Sequence, residues 1–157
     1  GGAAGAGWPQ FLEAARATPG LDGRPALKDQ ALREKLADWY VQAEGLKHTR
    51  NRTMTALSRG QTPGPESAIG KVISAVQMQE LGNAALEMLD QYGIIDDPAL
   101  APLKAAFQVS TMFGPGLRIA GGTDEILKNI IAERVLGLPG DIRIDKDVAF
   151  KDMPIGR

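Results

Sequence analysis

The sequence predicts an all-α domain, an up-and-down bundle of four main helices. Apolar residues recur every three or four positions over long stretches, and clusters of proline and glycine separate those stretches. Sustained alternation of β-branched and polar residues, which is typical of strands, is confined to the short segment 141–150. Long helices joined by tight turns pack antiparallel, and this gives the up-and-down topology.

The helices are predicted in order from the apolar periodicity and the helix breakers. A short first helix has Pro9 in its first turn, Gly60 closes the first long helix, and Pro65 suits the start of the second. The Gly-Pro-Gly segment 114–116 is expected to end the fourth helix. The short first helix is predicted to span 8–18. The four main helices are predicted to span 26–59, 66–92, 98–113 and 123–136.

Several predicted helices have an apolar face. The stripe of the second long helix is made up of Ile69, Val72, Val76, Leu81, Ala84, Ala85, Met88 and Leu89, and Gln77, Gln79 and Glu80 interrupt it near its middle. The last helix is expected to bury Ile126, Ile130 and Val135. The first long helix has a longer stripe, made up of Leu32, Leu36, Trp39, Ala43, Leu46, Thr53 and Leu57.

The helical bundle domain is expected to span residues 8–139. Residues 1–7, GGAAGAG, are interpreted as a flexible lead-in or as the truncated end of a helix. Residues 140–157 are predicted to form an extended carboxy-terminal tail, because they include the only alternating segment.

Composition excludes several classes of function. A chain of 157 residues with 43% hydrophobic and 24% charged residues is expected to form one core. A net charge of -1 argues against nucleic acid as a partner, and no run of about 18 apolar residues predicts a membrane span. With no cysteine and a single histidine, His48, no metal site is predicted. The lack of cysteine is compatible with the cytoplasmic location that we expect.

The segment 119–139, IAGGTDEILKNIIAERVLGLP, has the most unusual order of residue types. Gly121 and Gly122 allow a sharp turn, Thr123 can cap the next helix, and Asp124 and Glu125 complement the helix dipole. Spacing alone leaves two interpretations open, an ordinary helix start or a place where phosphate binds.

The whole string GGTDEILKNIIAERVLGLP resembles the closing signature of the acyl-CoA dehydrogenases. The resemblance extends to QALREKLAD at 30–38 and ALEMLDQYG at 85–93, and so covers about residues 8–139. It implies the fold of the carboxy-terminal helical domain, the last of three domains in these enzymes. Members oxidise an acyl-CoA thioester: a carboxylate removes the α proton while the β hydride passes to FAD.

The resemblance implies cofactor contacts but no catalytic residue in this chain. Gly122, Thr123, Glu125 and Gln30 are expected to lie near FAD, with Gln30 reaching a flavin bound partly by a neighbouring subunit. Many relatives have the catalytic Glu at the position of Gly121, and others have it on a segment upstream of Gly1.

Two further departures concern the adenine and pyrophosphate of FAD. An R-x-x-F-G motif of many relatives is replaced here by TPGLDGRPALKD at 18–29, and their G-G-N-G turn by GIID at 93–96. These differences put the corresponding contacts in doubt.

Two functions from different classes therefore remain. In the first, the chain is part of an FAD-dependent acyl-CoA dehydrogenase and is inactive by itself. Its partners are then acyl-CoA, an identical or related subunit, and an acceptor similar to electron-transfer flavoprotein. In the second, the chain is a non-catalytic helical association module or the inactive subunit of a heteromeric dehydrogenase.

Overall fold

The computed structural model describes residues 6–20, 22–62, 64–140 and 148–153. Within these ranges the chain is helical, and its only β pairing is an isolated bridge between Pro19 and Pro25. The predicted all-α bundle is therefore confirmed. Its α-helices are α1 (Trp8–Ala17), α2 (Gln30–Ser58), α3 (Ser67–Leu89), α4 (Ala106–Ile119) and α5 (Asp124–Ile130).

Shorter helical turns connect or extend these elements. Four are 3-10 turns and one, directly after α5, is a π turn. They cover Ala26–Lys28, Asp90–Ile94, Pro102–Ala105, Phe150–Asp152 and, for the π turn, Ile131–Val135.

The long hairpin of α2 and α3 begins later than the periodicity predicted. Asp29 is the cap of α2, because its carboxylate accepts a hydrogen bond from the Leu32 amide at 2.8 Å. The residues before Asp29 form the separate 3-10 turn, so α2 starts at Gln30 and not at 26. A capping carboxylate satisfies one of the free amides at a helix start and so fixes the boundary.

The predicted bounds of α4 are wrong at both ends. Leu103, Lys104 and Ala105 have φ values of 51°, 56° and 61°, which a right-handed helix excludes, so α4 begins at Ala106. Pro115 was expected to end the helix but lies inside it, and α4 continues to Ile119. Packing of α4 on α3 outweighs the cost of an internal proline, about 3 kcal/mol.

The backbones of α3 and α4 lie unusually close together where they cross. A Cβ added at Gly82 would lie 2.7 Å from the Thr111 backbone nitrogen. One added at Gly114 would lie 2.8 Å from the Gln79 Cβ. Glycine at these two positions allows a separation that any larger residue would prevent, and this crossing positions α4 and the segment that follows it.

Aromatic side chains join α1 to the rest of the bundle. Phe11 is fully buried and meets Trp39 of α2 and Phe107 of α4 edge to face, with ring centroids 5.2 Å and 6.0 Å apart. Such edge-to-face pairs are favourable beyond the area that they bury. The predicted stripe of α2 is buried at Trp39 and Leu36, whereas Leu57 at its far end is exposed.

Polar residues that interrupt the apolar stripe of α3 are used to join the helices. Gln77 donates a hydrogen bond from Nε2 to the Trp39 carbonyl oxygen at 2.9 Å. The Trp39 indole donates from Nε1 to Glu80 Oε2 at 3.3 Å. These two bonds tie the first half of α2 to the middle of α3.

The predicted face of the last helix is wrong in part. Leu127 is the buried residue of α5, and it packs against Ala68 and Val72 of α3. Ile126 is 54% exposed and Val135 is 36% exposed, so neither belongs to the core. The third predicted residue, Ile130, is partly buried and packs against the same cluster.

The ends of the chain are described in part. Residues 1–5 of the predicted lead-in, and 141–147 and 154–157 of the predicted tail, lie outside the described residues. Ala6 is buried, and its amide donates to the Ser110 hydroxyl oxygen at 3.2 Å. The domain boundaries stay a prediction. None of the described helices combines the length and apolar character that crossing a membrane requires.

Candidate functional site

A sharp glycine turn joins α4 to α5. Gly121 has a φ of 67° and Gly122 a φ of 99°, a left-handed region in which side chains are strained. Thr123 then caps α5, since its Oγ1 accepts a hydrogen bond from the Ile126 amide at 3.3 Å. Two of the predicted site residues, Gly122 and Thr123, therefore lie in the turn itself.

Three residues that the sequence did not indicate as site residues hold this turn. Lys71 of α3 donates from Nζ to the Gly122 carbonyl oxygen. Arg118 donates from Nε to Asp124 Oδ2 at 2.6 Å and from Nη1 to Gln79 Oε1 at 3.0 Å. Lys71 and Gln79 are far from the turn in sequence, so no local pattern could have revealed their roles.

Asp124 and Glu125 have different surroundings although they are neighbours. The sequence indicates ordinary first-turn charges at both positions, but Asp124 is only 3% exposed and forms the ion pair with Arg118. Glu125 is exposed. Its own backbone amide and the Thr123 hydroxyl donate hydrogen bonds that lower the pKa of Glu125 below the usual 4.5.

The charges of the turn bear on the two interpretations of this helix start. Asp124 and Glu125 place two carboxylates in the first turn of α5, and Lys71 is engaged by the Gly122 carbonyl. A helix of seven residues has a small dipole to offset those negative charges. The two carboxylates therefore disfavour a phosphate at this helix start.

The fourth predicted site residue, Gln30, lies at the other end of the bundle. Gln30 is the exposed first residue of α2, and its Nε2 donates to Glu34 Oε1 at 3.1 Å. Nearby Leu32 shares a cleft with Met88 of α3, whereas the turn contacts Lys71 of the same helix. Those two positions of α3 are about 25 Å apart at about 1.5 Å per residue, so the structure does not bring Gln30 to the turn within one chain.

Comparison with known proteins identifies the family. Residues 1–136 match the family model described as acyl-CoA dehydrogenase, C-terminal domain. This chain belongs to that family. Gly121, Gly122 and Thr123 all lie within the matched region.

Two curated relatives are similar over most of the chain. One is the acyl-CoA dehydrogenase FadE34 of Mycobacterium tuberculosis, 36% identical over 111 residues, which are 71% of this chain and 14% of that protein. The other is the acyl-CoA dehydrogenase IpdE1 of Mycolicibacterium smegmatis, 30% identical over 118 residues, 75% of this chain and 28% of that protein. This chain thus spans less than a third of either relative.

A solved structure shows the same fold. The ChsE4-ChsE5 complex from Mycobacterium tuberculosis superposes with a TM-score of 0.68, at 24% sequence identity. The superposition covers 86% of this chain and 34% of that one. The bundle is therefore the fold of an acyl-CoA dehydrogenase C-terminal domain.

An open cleft of about 1370 Å³ lies beside the start of α2. The segments 18–29 and 93–96, where this acyl-CoA dehydrogenase domain departs from the motifs of many relatives, both contribute to its wall. The wall contains two cations, Arg24 and Lys35. Arg24 is already paired with Asp22, at 2.6 Å. Carboxylates outnumber the cations of the wall; the carboxylates are those of Glu13, Asp22, Asp29, Glu87 and Asp90.

Gly121, where the resemblance implies the catalytic carboxylate of many relatives, faces open space here. A Cβ built at Gly121 would meet no atom within 4 Å, so a side chain there would project away from the bundle. The neighbouring part of the surface is apolar, with Ile119 67% and Ile126 54% exposed. Within the described residues no group of three or more His, Cys, Asp or Glu side chains could hold a metal ion.

Proposed function

We propose that this chain is the carboxy-terminal part of a flavin-dependent acyl-CoA dehydrogenase, an oxidoreductase that forms a double bond between the α and β carbons of an acyl-CoA thioester. The observation that supports it is the anchored glycine turn at Gly121 to Thr123 in a domain of this family. When bound, FAD supplies the acceptor for the β hydride.

The turn fits a part of FAD that carries hydrogen-bond donors. The space outside Gly121 is open, so a large planar group can approach the backbone. The lowered pKa of Glu125 keeps its exposed carboxylate ionised, and an ionised carboxylate only accepts hydrogen bonds. Gly122, Thr123 and Glu125 are therefore proposed to contact hydroxyl or amide groups of the flavin, and the pyrophosphate lies elsewhere.

Gln30 is proposed to contact FAD bound to a neighbouring subunit, because it lies on the opposite end of the bundle from the turn. The cleft beside it has an acidic wall, which repels a pyrophosphate. We therefore limit the role of Gln30 to a hydrogen bond from its amide, and we assign no pyrophosphate contact to this cleft.

The chain alone is proposed to be inactive. The residues proposed to contact FAD are Gly122, Thr123 and Glu125 at the turn and Gln30 at the distant start of α2. These four residues offer too few contacts for micromolar affinity for FAD, which requires about -8 kcal/mol after association costs are met. Proton abstraction also has no suitable group at the turn. Gly121 has no side chain, Asp124 is buried against Arg118, and the lowered pKa makes Glu125 a weak base.

Other parts of the complete protein are proposed to cover the outer face of α4. Met112 is 78% and Phe113 65% exposed, and Ile119 extends the apolar surface toward the turn. Exposed apolar surface of this kind marks an interaction site. We propose the remainder of the dehydrogenase and an identical or related subunit as its partners, with acyl-CoA as substrate, an acceptor similar to electron-transfer flavoprotein, and a cytoplasmic location.

A second function is favoured by the glycine at 121 and by the acidic cleft. An inactive subunit of a heteromeric acyl-CoA dehydrogenase, or a non-catalytic association module, needs neither a base at Gly121 nor a pyrophosphate site beside Gln30. Such a subunit would keep the fold and its contact surfaces while another chain performed the chemistry.

The reading frame upstream of Gly1 provides the test of the first function against the second. We expect it to encode a flavin- and substrate-binding remainder, with a Glu-Arg pair within about ten residues of Gly1 as in relatives whose base lies upstream. The encoded protein should purify with flavin and reduce a redox dye on addition of acyl-CoA. A protein that binds flavin but reduces no dye would support the inactive subunit. A frame in which the initiator methionine directly precedes Gly1 would support the module.

A further inference from the structure

An ion pair between the half-exposed Arg118 and the buried Asp124 spans the turn between α4 and α5. Asp124 begins α5 and is 3% exposed, and Arg118 lies in the last turn of α4. Their bond, Nε to Oδ2, measures 2.6 Å, and Arg118 also donates to Gln79 on α3 at 3.0 Å. Three side chains thus connect three helices around the glycine turn.

Burial of the Asp124 carboxylate costs free energy that a helix start does not require. Within the described residues the second oxygen of Asp124, Oδ1, is buried and has no hydrogen-bond partner. A carboxylate favours a helix start equally well from an exposed position, as at Glu125. Buried ionic groups that add little stability can instead specify one conformation. The conformation that this pair spans is that of Gly121 and Gly122.

We propose that Arg118 and Asp124 are positioning residues that fix the glycine turn before any flavin binds. The inference deepens the proposed function, on which the role of the turn as a flavin contact rests. Consecutive glycines have many accessible backbone conformations. The ion pair on one side and the Lys71 bond to the Gly122 carbonyl on the other remove that freedom, so binding does not have to order the turn.

Amide hydrogen exchange of the 157-residue chain without flavin, followed by NMR, tests this inference. The amides of Ile126 and Leu127 bond to Thr123 and report on the turn, whereas buried Leu81 in α3 reports on global opening. In Asp124→Asn, which keeps the shape but removes the charge, exchange at Ile126 and Leu127 should accelerate about tenfold more than at Leu81.

Two further variants make the result interpretable. Glu13→Gln is the matched control, because it breaks an exposed ion pair with Arg16 of 2.7 Å, and it should leave both sets of rates unchanged. Arg118→Lys keeps the charge but loses the fork that reaches Asp124 and Gln79 together. It should remain folded and show the same selective acceleration at Ile126 and Leu127.

Equal acceleration at the turn and at Leu81, no acceleration in either variant, or unfolding of both would overturn the inference, because the pair would then act on the whole fold or on nothing. The measurement contains no flavin, so its outcome is independent of the proposed function. Failure of the complete protein to bind flavin would refute the proposed function and leave the exchange result intact.

Discussion

The close crossing of α3 and α4 predicts opposite effects for the same substitution at two places in one helix. Gly70 and Gly82 both lie in α3, and a Cβ at Gly70 would meet no atom within 4 Å. Alanine is a better helix former than glycine, so Gly70→Ala should raise the free energy of unfolding by about 1 kcal/mol.

At Gly82 the added Cβ would lie 2.7 Å from both the backbone nitrogen and Oγ1 of Thr111, and 3.0 Å from the Ser110 Cβ. The nitrogen belongs to the backbone, so α4 itself has to move. Overpacking of this kind costs about 1–3 kcal/mol or more, which exceeds the helix-propensity gain. We therefore expect Gly82→Ala to lower the free energy of unfolding by up to about 2 kcal/mol.

Urea unfolding followed by circular dichroism measures both changes, and the melting temperature should move by about 2–4 °C per kcal/mol in a chain of this size. Because the crossing positions α4, Gly82→Ala should also shift the NMR signals of the Gly121 and Gly122 amides. A Gly82→Ala chain as stable as the Gly70→Ala chain, with an unchanged urea slope, would show that the two helices are not in close contact.

Three other perturbations have definite outcomes. Light scattering at high micromolar concentration should show a dimer or larger species, because association would bury the exposed Met112 and Phe113 side chains. A monomer would contradict this expectation. Asp29→Ala should cost about 1 kcal/mol in urea unfolding, since the α2 cap is lost. The Glu125 pKa is lowered, so its contribution to stability is present above pH 4.5 and lost as pH falls through the folded-state pKa. Acid unfolding of Glu125→Gln should show a weaker pH dependence, and an identical curve would refute the assignment.

Local patterns in the sequence predicted the main helices and the capped glycine turn. Apolar periodicity predicted the hairpin of α2 and α3, and the Gly-Gly-Thr order predicted a turn followed by a capped helix. Both signals depend on residues within one or two helical turns of each other. Thr123 is accordingly the cap that the sequence indicated.

Features that depend on distant partners could not be predicted in this way. Pro115 lies inside α4 because α3 packs against that helix, a contact that no local rule contains. Asp124 resembles any first-turn carboxylate in sequence, but it is buried and pairs with Arg118, which also donates to Gln79, 39 positions away. The left-handed segment at Leu103 to Ala105 contains no glycine, so composition gave no sign of it.

We propose that this chain holds only part of a flavin site and of a dehydrogenase. The most direct measurement mixes the purified chain with FAD, separates the mixture by size exclusion, and records flavin absorbance in the protein peak, followed by a dye-reduction assay with acyl-CoA. We predict that flavin elutes apart from the chain and that no dye is reduced, because micromolar retention needs about -8 kcal/mol of binding free energy. Flavin in the protein peak, or dye reduced on addition of any acyl-CoA, would contradict the claim and show that the chain contains a complete site.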